Sequence, residues 1–291
     1  MRTRLLIDLL VHSQLFMAFS GICFVSSVSL ALVGGFPSSL LLLAAGSGIL
    51  AIHLFDGVRG AHREDRISQP HRARLFRALE LPALILSGAL LILTGVFLIA
   101  AHTQLWVCVA FGLLGLLAAS YVLPVLSFFH VRKERPESLK DLARLKPVLI
   151  SLAWLAGACL VAFARPGPLD GTPAVADVLS LIIVALPLLL LDSIWLDRRD
   201  RRADESYDRM TFAVRLSAKS FHAVCILLWL MPILGGLAPG SGIHGFMIGG
   251  VIGALPMIVL GPDRIRSEAM RVVIAGFWRV TGLLGILLFT A

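Results

Sequence analysis

The sequence predicts an all-α polytopic membrane protein with nine transmembrane helices, and three observations predict it. Of the 291 residues 58% are hydrophobic and 15% charged, with a mean hydropathy of +0.89; a soluble globule is nearer half apolar and about a quarter charged. Apolar stretches of the ~20 residues that a bilayer core requires recur along the whole chain. Basic residues crowd into alternate interhelical loops, the pattern that orients membrane proteins.

The stretches fall at roughly 5–33, 37–56, 81–101, 104–128, 147–164, 174–196, 220–237, 243–261 and 272–290. The turn Gly34-Gly35-Phe36-Pro37 separates the first two, and Ala101-His102-Thr103 makes a tight hairpin of the third and fourth. Met1-Arg2-Thr3-Arg4 followed by an apolar run resembles a signal peptide. The run continues to about Val33 without a clear small-x-small cleavage site, so it is expected to be a retained first span. No linker or low-complexity tract divides the chain, which reads as one domain, 1–291. Cys23, Cys108, Cys159 and Cys225 lie singly in apolar runs, as small buried side chains do.

The net charge of +8 is segregated between spans, which argues for loops at a membrane face and against nucleic-acid binding. The N-terminus and the second, fourth, sixth and eighth loops hold almost all loop Lys and Arg; the odd loops hold only Arg165. Nine spans put every basic loop on one side, so the N-terminus is expected in the cytoplasm and the C-terminus outside. The expected location is a bacterial inner membrane. All the candidate chemistry lies on the cytoplasmic face.

That chemistry centres on the sixth loop, where Asp197, Asp200 and Asp204 stand at i, i+3 and i+7. At ~100° per residue they fall within about 60° of one helix face. Acids so placed repel one another unless a cation lies among them, and Mg²⁺ commonly joins one or two carboxylates to a substrate phosphate. A Mg²⁺–diphosphate site with Asp197, Asp200 and Asp204 as ligands is therefore expected, nearby arginines neutralising further phosphate charge. The competing reading is a solvated helix carrying i,i+4 pairs such as Asp197–Arg201 and Arg201–Glu205. In the second loop Asp56 and Asp65, nine residues apart, would face opposite sides of one continuous helix. Gly57 and Gly60 are expected to break that helix and redirect the chain, making a second acid site helped by arginines such as Arg66.

These residues carry a resemblance. Leu196-Asp197-x-x-Asp200-x-x-x-Asp204, followed by Thr211 and Val214-Arg215-Leu216, resembles the second aspartate motif of the UbiA superfamily of intramembrane prenyltransferases. Asp65-Arg66-Ile67-Ser68-Gln69-Pro70-His71-Arg72 is similar to the tail of that family's first motif. Tyr121-Val122-Leu123-Pro124, a basic loop, and Lys146 with Ala153-Trp154 beyond it are similar to the family's Tyr-x-x-Pro segment and following lysine. The resemblance implies a helical bundle around a central cavity open toward lipid. It implies transfer of a prenyl chain from a polyprenyl diphosphate to an acceptor, often aromatic, with Mg²⁺ as cofactor. It makes Asp65, Asp197, Asp200 and Asp204 metal candidates and Arg72 and Lys146 diphosphate candidates, and it places Tyr121 in the pocket lining. Asp56 is a further acid candidate.

The chain also departs from the family pattern. Ala61, Val58 and Gly57 stand where the first motif has acids or asparagine, Ser68 where asparagine is expected and Asp208 where glycine is usual. A catalytically impaired or repurposed member that binds an isoprenoid lipid or a protein partner is therefore the alternative expectation. A small transporter would need polar residues spread through the spans toward both faces, and the charges here cluster on one.

Polar residues inside spans face a cavity or a partner. His12 and Gln14 are read either way, and His53, one turn before Asp56, is a candidate for the same cavity. Asp192 either reaches the pocket or pairs with an arginine such as Arg279. Trp106 and Trp195 read as interfacial anchors, and Trp229 as a packed or lipid-facing residue. An alkaline phosphatase fused after Ala291 in a bacterial host tests the orientation: it is expected to be active, and an inactive fusion in a fully inserted protein contradicts the topology.

Overall fold

The computed structural model describes residues 11–122, 145–164, 175–207, 211–235, 241–265 and 267–290, and its regular elements are all helical. The helices are α1 (Leu15–Val33), α2 (Ser39–Ala61), α3 (Asp65–Ser68), α4 (Pro70–Ala78), α5 (Glu80–Ala100) and α6 (Leu105–Val122). They continue as α7 (Lys146–Phe163), α8 (Val175–Ser206), α9 (Phe212–Arg215), α10 (Ala218–Gly235), α11 (Ser241–Leu260) and α12 (Glu268–Thr290). Seven of them (α1, α2, α5, α7, α8, α11 and α12) are long and apolar enough to cross a membrane. The apolar stretches Leu105–Ala118 and Ala218–Leu234 are shorter. The chain is thus built as a polytopic membrane protein.

Local chemistry sets the boundaries. Helix α1 stops at Gly34, whose left-handed φ of 65° turns its N–H back to the Leu30 carbonyl at 3.1 Å. Helix α2 starts at Ser38, whose hydroxyl accepts from the Leu41 amide at 3.3 Å. Prolines Pro70 and Pro147 open α4 and α7, where a missing N–H does no harm.

Three boundaries differ from the sequence reading. The expected first span is not continuous: Gln14 takes φ 67°, its side-chain amide donating to the His12 carbonyl, and α1 begins only at Leu15. Helix α2 runs on through Asp56, Gly57 and Gly60 to Ala61. Helix α8 carries the acids in one piece with the sixth span, 32 residues or about 48 Å at 1.5 Å per residue.

Helix α8 is the hub of the bundle, packed against α1, α7, α10, α11 and α12 and touching short α3 and α9 at one end. Phe24, Phe246 and Trp278 interlock beside it with ring centroids 5.7–6.2 Å apart. Trp195 is fully buried there, its indole N–H donating to the Met257 carbonyl at 3.0 Å. It is a core residue and not the interfacial anchor expected of it. Trp229 donates to the Val251 carbonyl at 2.8 Å. At the outside, α5 shows Leu81, Ile85, Ile92 and Ile99 at 64–73% exposure, the face a bilayer would cover.

The closest helix pair is α11–α12. Gly245, Gly249 and Gly253 recur every four residues and meet Thr281, Gly282 and Gly285, with no room for a side chain between the backbones. A Cβ on Gly249 would run into the Thr281 carbonyl, and one on Gly285 into the Gly245 carbonyl. Gly249→Val is therefore expected to destabilise the bundle by about 1–3 kcal/mol or more through overpacking. Thermal unfolding in detergent measures it; a native midpoint in that variant contradicts the packing.

Candidate functional site

The acids of α8 face inward. Asp197, Asp200 and Asp204 are 3–9% exposed, while Arg202 and Glu205 on the same turns are exposed. Arg201 does pair with Glu205 at 2.7 Å on the outer side, as a solvated helix would have it. Asp197, however, turns away from Arg201 to Lys146 Nζ at 2.5 Å. Lys146 opens α7, so this pair clamps the start of one helix to the acid face of another. Arg199 forks onto Asp200, Nε and Nη2 lying 3.0 and 2.9 Å from the two carboxylate oxygens. Thr211 donates to Asp204 Oδ2 at 3.1 Å. Short α9 behind it is held by Arg198, whose Nη1 donates to the Ala213 and Leu216 carbonyls at 2.7 and 3.3 Å.

Across from this face the chain turns at His62–Glu64 and starts α3 with Asp65. Gly57 and Gly60 do not break the helix as expected; they make room. A Cβ on Gly57 would lie 2.5 Å from the Phe76 ring, and one on Gly60 2.6 Å from Asp65 Oδ2. The missing side chains let α3 and α4 fold back onto α2, and that return brings Asp56 and Asp65 to one cation. Arg72 Nη1 lies 2.9 Å from Asp65 Oδ2 and Nη2 3.5 Å from Asp56 Oδ2. The guanidinium also stacks on Phe76 at 5.5 Å, and Gln69 donates its amide to Asp65 Oδ1 at 3.1 Å. Helix α3 packs against α8, so the two acid faces meet.

Both faces line one cavity of about 650 Å³. Asp56, Asp65, Asp197, Asp200 and Asp204 line it, with Arg72, Lys146 and His53. Leu91, Leu98, Phe111, Leu114 and Ile150 are among the residues that make the rest of its wall apolar. Arg66 is not brought there; it is exposed on the outer side of α3. The side chain of Tyr121, Asp208 and the basic fourth loop before Leu145 lie outside the described residues. Arg199 also lines the cavity; its place beside the motif aspartates was the signal for it, but loop arginines all look alike in sequence.

A second charged node lies deeper. Arg279 of α12 pairs with Asp192 of α8, both 2–3% exposed, and stacks on Trp154 at 4.6 Å and Trp278 at 5.5 Å. Both charged residues border the cavity, and the His53 ring lies 6.2 Å from that of Trp154.

Among the described residues no three acid, thiol or imidazole side chains converge as a ready-made metal cage. Asp197 Oδ2, though, is buried with no hydrogen-bond partner. Mg²⁺ takes one or two carboxylates and completes its shell with phosphate and water, so a full protein cage is not required of such a site. Neither a family model nor a curated protein sequence matches the chain.

The Asp192–Arg279 pair has a stability consequence. Arg279→Met alone strands a buried carboxylate and is expected to cost about 3–5 kcal/mol. The double variant Asp192→Leu/Arg279→Met should recover most of that loss. Chemical unfolding in micelles reads both; a native-like single variant contradicts the pairing.

Proposed function

We propose that the chain is an intramembrane prenyltransferase of the UbiA type, moving a prenyl group from a polyprenyl diphosphate to a hydrophobic or aromatic acceptor. The observation that carries this reading is the cavity: five aspartates gather with Arg72, Lys146 and Arg199 in its lining, the Asp192–Arg279 pair lies deeper, and most of the remaining wall is apolar. A diphosphate with an isoprenoid tail has that same division. The reading includes nine spans, with Leu105–Val122 and Ala218–Gly235 as the two shorter ones, and a cavity whose polar end faces the cytoplasm at a bacterial inner membrane.

Asp197, Asp200 and Asp204 are the residues that would hold Mg²⁺, with Asp65 opposite as a further candidate, and the orphaned Asp197 Oδ2 fits that role. Bound Mg²⁺ would supply neutralisation of the diphosphate leaving group. The chain's own cations act on the same charge: Lys146, a point charge on a flexible stem, and Arg199, a planar fork, both face the cavity. Their attraction grows as the allylic C–O bond breaks and negative charge collects on the diphosphate. The apolar walls hold the tail and keep water from the electron-poor allylic carbon.

A second reading has an observation of its own. Asp65, Asp197 and Asp200 are each already held by a cation of the protein, and two acid positions of the first motif, at Val58 and Ala61, lack a carboxylate. A protein that binds an isoprenoid diphosphate without turning it over would look the same.

Membrane vesicles carrying the protein, given farnesyl diphosphate, Mg²⁺ and extracted membrane quinols and lipids, separate the two. Native protein is expected to release pyrophosphate and form prenylated product. Asp200→Asn is expected to insert normally and lose about 100-fold or more of that rate. Full activity in Asp200→Asn counts against the enzyme, and Mg²⁺-dependent binding without turnover by native protein establishes the second reading.

A further inference from the structure

The polar end of the cavity has two acid-bearing walls. By residue type alone each looks able to take a divalent ion, yet their geometry differs. On the α2–α3 wall one guanidinium stands between both carboxylates, 2.9 Å from Asp65 and 3.5 Å from Asp56. The Arg72 side chain is 9% exposed and that of Asp65 4%, and the stack on Phe76 leaves Arg72 little freedom to leave. The other oxygen of Asp65 accepts from Gln69. Gly60 supplies the space in which the Asp65 carboxylate is seated. An ion entering between Asp56 and Asp65 would have to expel a buried, stacked guanidinium or share its carboxylates at close range, and like charges so placed repel strongly.

The α8 wall is different. Asp197, Asp200 and Asp204 follow one another at helical spacing, about 5–6 Å apart between neighbours at i and i+3. Arg199 forks both oxygens of Asp200, and Lys146 pairs with Asp197 Oδ1. Asp197 Oδ2 stays buried without a hydrogen-bond partner. Lys146 also has the flexible stem that lets a charge follow an arriving phosphate.

Resting on the proposed diphosphate chemistry, we infer that Arg72 is a built-in cation that fills the Asp56–Asp65 half of the polar end, so that the chain takes up one divalent ion, on the Asp197–Asp200–Asp204 face. This removes Asp65 from the metal ligands and makes it the residue that positions Arg72. The missing acids at Ala61 and Val58 then follow: a fixed single charge needs fewer carboxylates around it than a divalent ion does. The Arg72 Nε–H is buried with no hydrogen-bond acceptor and is a donor available to a phosphate oxygen.

The test uses full-length protein in micelles with inorganic pyrophosphate and Mn²⁺ in place of Mg²⁺, read by electron paramagnetic resonance and equilibrium titration. One Mn²⁺ per chain with the signal of an isolated ion is expected. Asp65→Asn is expected to keep that ion at unchanged affinity, and Asp200→Asn to lose it. Two ions per native chain, or a spin-coupled pair, overturns the inference while leaving the transferase reading in place. No bound ion overturns both. The native stoichiometry and coupling decide the matter even if a variant fails to fold.

Discussion

Charged side chains can lie inside a bundle of apolar helices only where each finds an opposite charge, and this constraint orders the polar end of the molecule. The alternatives, an unpaired ion or an unpaired dipole in a medium without water, are expensive. Lys146 meets Asp197, Arg199 meets Asp200, Arg72 meets Asp65 and Asp56, and Arg279 meets Asp192. Apart from Arg199–Asp200, which lies within α8, each pair joins segments that apolar packing alone would leave free to slide: α7 to α8, α4 to α3 and α2, and α12 to α8. The electrostatics that an incoming diphosphate would use also set the relative positions of the helices around it.

The arrangement separates two tasks. The Asp192–Arg279 node, with Arg279 stacked on Trp154 and Trp278, is buried and deep. The acid face of α8 lies nearer the end of its helix, and Lys146 there sits directly after a basic loop. A cavity with a fixed floor and a charged rim suits a long apolar ligand with a highly charged head. The glycine seam brings the backbones of α11 and α12 together on one side of the bundle, whereas α5 and α6 present exposed apolar side chains outward.

Much of this was legible in the sequence because its cause was local. Seven of the nine expected spans follow from hydropathy, and the inward phase of Asp197, Asp200 and Asp204 follows from helical periodicity. The pairing of Asp192 with Arg279 stood among the alternatives because a lone charge in a span demands a partner. What was not legible depends on contacts between distant segments. Gly57 and Gly60 read as helix breakers, since their use as seats for Phe76 and Asp65 requires knowing that α3 and α4 fold back. Trp195 read as an anchor because its partner, the Met257 carbonyl, is on another helix. Arg66 and Arg72 are indistinguishable by composition, and only the fold turns one outward and the other onto two carboxylates. The Gly245-x-x-x-Gly249-x-x-x-Gly253 spacing was visible, but its meaning came only with α12 lying against it.

The central claim is that the cavity's charged rim receives a diphosphate together with a divalent ion while the apolar wall receives its tail. Calorimetric titration of the purified protein with farnesyl thiodiphosphate, a slowly reacting analogue, tests it most directly when run with Mg²⁺ and again with a chelator. The account predicts saturable binding at one site that is strong with Mg²⁺ and largely lost without it. Equal binding under both conditions, or none in either, would contradict it.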